Sequence, residues 1–166
     1  TYCYSLDKLP VEIGELSNFL SLDLTYCDSL DKLPGEMSKL VKLRNLWLGG
    51  CSLMQMPIGL GKLTNLQRLD MFVAKQPNPS DVGGGLSELN TLNNLEGELR
   101  NIVGGCKCES SAENLQMKKK LVALTLDVNS LEENHEEVLE GLQPHANLTQ
   151  LKICGYQGEV LPRWDD

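Results

Sequence analysis

The residues best suited to catalysis or metal binding are few in this chain, and they lack the partners that such chemistry requires. Cys106 and Cys108 could be half of a metal site, but no second cysteine pair and no nearby histidine completes four ligands. His135 and His145 lie in polar segments without a serine or cysteine nucleophile at a recognisable spacing. We therefore interpret the cysteine pair as loop residues and predict that the chain is not an enzyme.

Three other segments carry charge or flexibility that could serve chemistry. The triple glycine Gly83–Gly85 is compatible with a phosphate-binding loop, but the Lys-[Ser/Thr] of a Walker motif is missing, so a flexible turn is predicted. The basic run Lys118–Lys120 is predicted to be the solvated end of a helix. The acidic run Glu132–Glu137 is predicted to begin a surface helix, with Asn134 as its cap and the carboxylates at its positive end.

The charge balance and the hydropathy of the chain limit its partners. Lysine and arginine total 15 against 23 for aspartate and glutamate, which gives a net charge of -8. Such a surface repels phosphate backbones overall, so nucleic acid is not an expected partner. No apolar run reaches the roughly 18 residues of a membrane span, and the first residues do not form a secretory leader. Because the chain starts inside a repeat, we expect a fragment of a longer protein.

A repeat of 24 residues supplies the framework on which these side chains lie, and it is clearest between Phe19 and Leu48. Ser29–Pro34 also reproduces Ser5–Pro10 residue for residue. The resulting pattern, Leu-x-x-Leu-x-Leu-x-x-Cys, is typical of leucine-rich repeats, whose units span roughly 20–29 residues. The matched pairs are Phe19 with Leu43, Leu22 with Leu46, Leu24 with Leu48 and Cys27 with Cys51.

This pattern predicts an α/β fold, namely a curved leucine-rich-repeat solenoid. The x-Leu-x-Leu-x segment alternates with period two and forms a short strand whose leucines point inward. No single coil can bury its leucines alone, so the coils stack and their strands form a parallel sheet on the concave face. The convex side is expected to be irregular or to hold short helices, since Pro34 and its equivalents stop longer ones.

The same repeat explains Cys3, Cys27 and Cys51, half of the six cysteines. They fall where the chain leaves a strand, a place that suits a small buried side chain able to bond to backbone. Side chains stacked in parallel do not point at each other, so reduced thiols are predicted rather than disulfides. Reduced thiols are consistent with a cytoplasmic protein.

We treat residues 1–166 as one leucine-rich-repeat domain fragment with three parts. Regular coils span 1–73, an irregular loop-rich segment spans 74–120, and further coils fill 121–166. The fourth strand is expected to run without a break from Gln67 to Val73. Another strand is expected around Glu98–Arg100, with its register left open because Asn101 takes an apolar slot.

Side chains that alternate with the strand leucines face solvent on the concave sheet and form the predicted partner-binding surface. Asp23, Trp47 and Asp70 are expected to line up on successive coils. Trp47 stands out because an aromatic flanked by charges is the usual composition of a binding hot spot; alternatively it is an isolated exposed aromatic with a packing role only. The predicted surface consists of Asp23, Thr25, Arg44, Asn45, Trp47, Arg68, Asp70, Phe72, Thr125 and Lys152.

Three segments are more particular than the leucine spacing. They are Gly85–Asn90 with Leu92–Leu99, Glu137–His145, and Gly155–Gly158 with Pro162–Trp164. In these segments the chain resembles the repeat region of plant nucleotide-binding leucine-rich-repeat (NBS-LRR) disease-resistance proteins of the coiled-coil class. The resemblance implies a cytoplasmic immune receptor whose repeats recognise a pathogen effector, or a host protein that an effector modifies, and restrain the nucleotide-binding switch.

The resemblance also sets the cofactor and partner expectations. ATP or ADP would bind only to the nucleotide-binding domain, and no Gly-x-x-x-x-Gly-Lys-[Ser/Thr] motif occurs in this chain, so no cofactor is expected in it. The expected partner is a protein: an effector, a guarded host protein, or the receptor's own nucleotide-binding domain.

Two other protein-binding functions are alternatives, an intracellular leucine-rich-repeat scaffold and the ectodomain of a cell-surface receptor. Plant surface receptors usually carry Gly-x-Ile-Pro after the strand and paired cysteines in their caps, whereas this chain carries Leu-x-x-Leu-Pro. That difference disfavours the ectodomain. A count of free thiols on the folded protein would separate them, because disulfides would favour secretion.

Overall fold

Short strands alternate with single turns of 3₁₀ helix (η) in the computed structural model, which describes residues 5–73, 85–103, 113–128, 139–140 and 142–164. A strand and the 3₁₀ helix on the opposite side together make up one coil, as the repeat predicts. The elements are η1 (Val11–Glu15), β1 (Ser21–Asp23), η2 (Gly35–Lys39), β2 (Asn45–Trp47), η3 (Leu60–Lys62), β3 (Arg68–Leu69), β4 (Met71–Val73), η4 (Leu86–Leu89), β5 (Glu96–Val103), α1 (Glu113–Gln116), β6 (Lys120–Asp127) and β7 (Gln150–Cys154).

The strands pair in parallel and in chain order, which confirms the predicted solenoid. One sheet has the order β1-β2-β3 and the other has the order β4-β5-β6-β7. Leu22 lies opposite Leu46, and Leu46 lies opposite Leu69, so equivalent leucines of successive coils face one another. Parallel neighbours in chain order require a crossover between every two strands, and stacked coils provide it.

Proline sets the start of the first two helical turns on the convex side. Pro10 and Pro34 have φ angles of -67° and -68° and immediately precede η1 and η2. Their rings fix an extended entry, and each following 3₁₀ helix ends after five residues. The prediction of short convex helices is therefore confirmed for these coils.

The core is a set of leucine columns that run along the stack. Leu40, Leu63 and Leu92 form one such column, and all three are fully buried. Burial of one leucine side chain contributes about 1.5–3 kcal/mol, so the columns dominate the stability of the stack. On β7, an outermost strand of the described sheets, Leu151 remains 37% exposed because it has a neighbouring strand on one side only.

Asparagine side chains also tie neighbouring coils together. Each of these amides stands directly before the first leucine of the Leu-x-x-Leu pattern, ahead of the strand, and donates to a backbone carbonyl of the preceding coil. The bonds run from Asn65 Nδ2 to Val41 O (2.8 Å), from Asn94 Nδ2 to Thr64 O (2.9 Å) and from Asn147 Nδ2 to Lys119 O (3.1 Å).

The fourth strand is not continuous, and this corrects two expectations. It divides at Asp70 into β3, which pairs with β2, and β4, which pairs with β5. The register shifts between Met71 and Val73, where one residue of β4 faces two residues of β5. That residue is Phe72, which was expected to face solvent and is instead 0% exposed. Met71 and Val73 on either side of it are buried as well, so both faces of β4 are covered and the burial of the apolar ring is favourable.

The expected strand around Glu98–Arg100 is confirmed, and it is longer than the repeat alone suggests. It spans eight residues, Glu96–Val103. Cys3, Gly83–Gly84, Cys106, Cys108 and the acidic run with Asn134 and His135 lie outside the described residues, so those predictions stand as made. Within the described residues, no helix is long and apolar enough to cross a membrane.

Candidate functional site

The concave face is built by the side chains that the strands turn away from the leucine columns. Asp23 of β1 lies opposite Trp47 of β2, as predicted. Asn45 of β2 lies opposite Arg68 of β3. Trp47 and Asp70 line one cavity, so the expected row from Asp23 through Trp47 to Asp70 is present.

Two shallow cavities follow one another along this face. The first has a volume of about 280 Å³ and the second of about 350 Å³. Glu98 and Arg100 line both of them, which makes the two cavities continuous. We call this surface the concave groove; it comprises Trp47, Arg68, Asp70, Glu96, Glu98, Arg100, Ala123, Leu124, Thr125, Gln150 and Lys152.

Two ion pairs lie in the middle of the concave groove. Arg100 Nη2 is 2.7 Å from Glu98 Oε2, and Arg68 Nη2 is 3.7 Å from Glu96 Oε1. The hydrogen bond from Arg100 holds the pKa of Glu98 below its usual value and raises the pKa of Arg100. All four side chains are solvated, and exposed ion pairs contribute little to stability. Both pairs can therefore exchange their internal bonds for bonds to a partner.

Asp70 lines the concave groove, but its carboxylate serves the fold. Its two oxygens accept hydrogen bonds from the backbone N–H groups of Leu48 at 2.7 Å and Gly49 at 3.0 Å. These amides directly follow β2, so the Asp70 carboxylate caps the end of that strand in the preceding coil. Of the predicted surface residues, Asp70 is thus one whose charge is already engaged.

Asp23 and Thr25 are brought together at the end of β1. Asp23 Oδ1 accepts bonds from the Thr25 N–H at 3.0 Å and from the Thr25 hydroxyl at 2.5 Å. Both bonds lower the pKa of Asp23, and the bond from the Thr25 hydroxyl has the larger effect. The carboxylate therefore stays ionised and exposed beside Trp47.

The remaining predicted residues divide by position. Arg44 and Lys152 are exposed, and Asn45 and Thr125 are half-buried. Phe72 leaves the predicted surface because its side chain is in the core.

Sequence reasoning missed three residues at the centre of the concave groove, Glu96, Glu98 and Arg100. Asn101 obscured the register of their strand. The available signal was Gly97 between Leu95 and Leu99, since an extra residue between strand leucines marks a bulge. Gly97 has a φ of 81°, and the pairing of β5 with β6 shifts directly after it.

The basic run at Lys118–Lys120 also needs correction. Lys119 and Lys120 are exposed, as predicted, but Lys118 is 0% exposed. The run is also not the end of a helix, because α1 ends at Gln116 and Lys120 is the first residue of β6. Lys118 Nζ donates to Asn93 Oδ1 at 2.8 Å. Burial lowers the pKa of this amine from 10.5 to about 8.

The cysteines that follow β1 and β2 behave as the repeat predicts. Cys27 is buried and Cys51 is half-buried, and neither forms a disulfide with a described residue. Cys51 Sγ donates to the carbonyl of Leu24 in the preceding coil at 3.1 Å. Burial raises the pKa of the Cys51 thiol, which keeps it protonated and able to donate this bond.

Comparison with known proteins places the chain among repeat proteins. Residues 2–165 match a family model described as a leucine-rich repeat region. A disease resistance protein, RGA2 of Solanum bulbocastanum, is 40% identical over 112 residues, which are 63% of this chain and 11% of that protein. A putative disease resistance protein, RGA4 of the same species, is 34% identical over 126 residues, which are 72% of this chain and 12% of that protein. The chain thus spans about a tenth of the length of these relatives.

Among solved structures, an internalin C2 from Listeria monocytogenes has the same fold. The superposition has a TM-score of 0.59 and 23% sequence identity, and it covers 89% of this chain and 57% of that one. At this identity the similarity concerns the solenoid architecture alone.

Proposed function

This chain belongs to the leucine-rich-repeat family, and from that premise we propose that it is the protein-recognition region of a plant intracellular immune receptor. One observation carries the proposal: stacked parallel strands present polar and charged side chains along a continuous concave groove. The similarity to disease resistance proteins supports the receptor context.

In this proposal the concave groove recognises a pathogen effector or a host protein that an effector has modified. The same region restrains the nucleotide switch by contact with a nucleotide-binding domain elsewhere in the longer protein. ATP or ADP binds to that domain and not to these residues. The matched segments are only 11% and 12% of the relatives, which supports a receptor with further domains.

The chemistry of the concave groove favours a protein partner over a small molecule. Small-molecule pockets are mostly apolar and occupy about 300–1,000 Å³. Of the two cavities, one lies just below that range and the other at its lower end, and both are open and lined largely by charged or polar side chains. Trp47 supplies an aromatic surface beside Arg68, a combination enriched at protein interfaces.

Substitution of Trp47 and Arg100 tests the proposal, with binding measured on the receptor from which its own nucleotide-binding domain has been removed and signalling measured on the full-length protein. Trp47→Ala removes the aromatic surface, and Arg100→Ala removes a groove cation without touching the leucine columns. Each is expected to weaken the binding of the nucleotide-binding domain, supplied as a separate chain, by about fivefold or more. The measurement is a binding titration, accompanied by an assay of effector-dependent signalling.

Met54→Ala is the matched control, because Met54 is an exposed apolar side chain outside the concave groove. It should leave binding and signalling unchanged. If both groove variants also retained normal recognition and normal restraint, the concave groove would have no part in the function.

A further inference from the structure

One column of the core contains a residue that does not belong there by its chemistry. Each residue of this column accepts, at its backbone carbonyl, a hydrogen bond from the backbone N–H of the residue three positions later in the sequence. Lys118 takes the next place after three leucines and is as fully buried as they are. The bonds run from Leu43 N to Leu40 O, from Leu66 N to Leu63 O, from Leu95 N to Leu92 O and from Leu121 N to Lys118 O.

Lysine costs stability in this place. Its ammonium loses hydration on burial, and among the described residues no carboxylate forms an ion pair with it. Its bonds go instead to Asn93 Oδ1 at 2.8 Å and, at a longer 3.5 Å, to the carbonyl of Asn90. A leucine would fill the column without this cost. What lysine adds is a hydrogen bond, which is directional in a way that leucine packing is not.

The charged groups on neighbouring elements have other partners or are solvated. Glu88 on η4 accepts bonds from the Gly59 and Gly61 N–H groups. His145 holds the next place in the column and accepts a bond from the Asn147 N–H. Glu96 and Glu98 of β5 pair with arginines in the concave groove, and Lys119, Lys120 and Glu140 are exposed.

The contact between Lys118 and Asn93 stands where register is least determined by the leucines. Asn93 lies just ahead of β5, and Lys118 lies just ahead of β6. The pairing of these two strands shifts twice, between Gly97 and Glu98 and again between Leu99 and Ile102. Columns of similar leucines tolerate a slipped pairing, whereas a buried lysine whose amine bonds to the exposed side chain of Asn93 favours the register in which the two meet.

We propose that Lys118 is a positioning residue, whose bond to Asn93 fixes the register of β6 on β5 and thereby the composition of the concave groove. The consequence for partner binding rests on the proposed function, and the register itself does not. In the selected register Glu98 lies opposite Ala123, and both line the second cavity with Thr125 and Lys152. A one-residue slip would exchange inward and outward side chains along the whole strand.

A thiol cross-linking experiment on the full-length protein measures the register directly. Cysteines placed at Glu98 and Ala123, which are paired, should be bridged by dibromobimane more efficiently than cysteines at Glu98 and Val122. Lys118→Met keeps the volume and removes the amine. It is expected to lower the first yield at least about twofold and raise the second, without loss of thermal stability.

Cysteines at Asp23 and Trp47 form the control pair, since they are paired in strands far from Lys118. Their yield should not change in Lys118→Met, and its loss would mean that the variant has unfolded. In that case variants of Asn93 provide the test. Asn93→Asp keeps an acceptor and should preserve the register, whereas Asn93→Leu removes the acceptor and should not. Unchanged yields in Lys118→Met, or in Asn93→Leu, would overturn the assignment.

Binding of the nucleotide-binding domain separates this inference from the proposed function. Lys118→Met should weaken that binding through the altered groove. A changed cross-linking pattern with unchanged binding leaves the register assignment in place and counts against the groove as the binding site.

Discussion

At the scale of single residues, Asp70 shows that a side chain on a binding face can be committed to the fold. Alternation alone assigns it to solvent, and its position beside Trp47 agrees with that assignment. Its carboxylate nevertheless accepts hydrogen bonds from two backbone N–H groups of the preceding coil. The sequence could not reveal this, because the donors are main-chain groups whose exposure depends on how the neighbouring coil ends.

Lys118 makes a pH prediction at the same scale. Its pKa is depressed in the folded protein to about 8 and returns to 10.5 on unfolding. Between these values the unfolded chain binds more protons, so the stability of the fold should rise as pH is raised through this window. Urea denaturation at pH values below, within and above the window measures the effect.

Lys118→Met supplies the reference for that measurement, because the other lysines titrate in both proteins. The difference in unfolding free energy between the two proteins should change across the window and stay constant below it. A difference that is flat from one end of the window to the other would show that the buried amine keeps its ordinary pKa.

At the scale of elements, the sequence predicts best where the repeat is most regular. An offset of 24 residues places Leu22 and Leu46 in register, a third coil shorter by one residue places Leu46 and Leu69 in register, and the strands β1 to β3 follow this spacing. The prediction from the repeat fails at β4. Nothing within Met71–Val73 indicates that the next strand, β5, is eight residues long or that the pairing register of β4 with β5 shifts. Phe72 was misassigned for that reason, whereas Glu96 and Glu98 were missed because Asn101 obscured the register of their own strand.

The turn after β2 allows a prediction about glycine. Gly50 has a φ of 79°, and a Cβ there would lie 2.6 Å from Tyr26 Cδ1 of the preceding coil. Gly50→Ala should therefore destabilise the fold by about 1–2 kcal/mol from the left-handed backbone alone, with the contact to Tyr26 adding to it. The midpoint of chemical denaturation reports the loss.

Gly35 is the matched control for Gly50, because it begins η2 and a Cβ there would meet nothing within 4 Å. Gly35→Ala should be neutral or stabilising, since it only reduces the freedom of the unfolded chain. Equal losses in the two variants would contradict the role assigned to the turn.

At the scale of the whole molecule, the stack is only as stable as its ends allow. Leu22 on β1 is half-buried and Leu151 on β7 is 37% exposed, whereas the inner leucines are covered on both sides. Residues 1–166 expressed alone should therefore melt broadly and self-associate. Calorimetry and sedimentation measure both properties, and a sharp melt of a monomer would contradict the expectation.

The asparagine bonds between coils reach only from one coil to the next. Coupling of this kind makes the molecule modular along its axis, so a whole 24-residue unit can be duplicated or deleted by recombination without breaking any contact two units away. The identity of Ser5–Pro10 and Ser29–Pro34 is what a recent duplication of that kind would leave behind. A lineage that carries such a gene can lengthen or shorten its recognition surface in single genetic events.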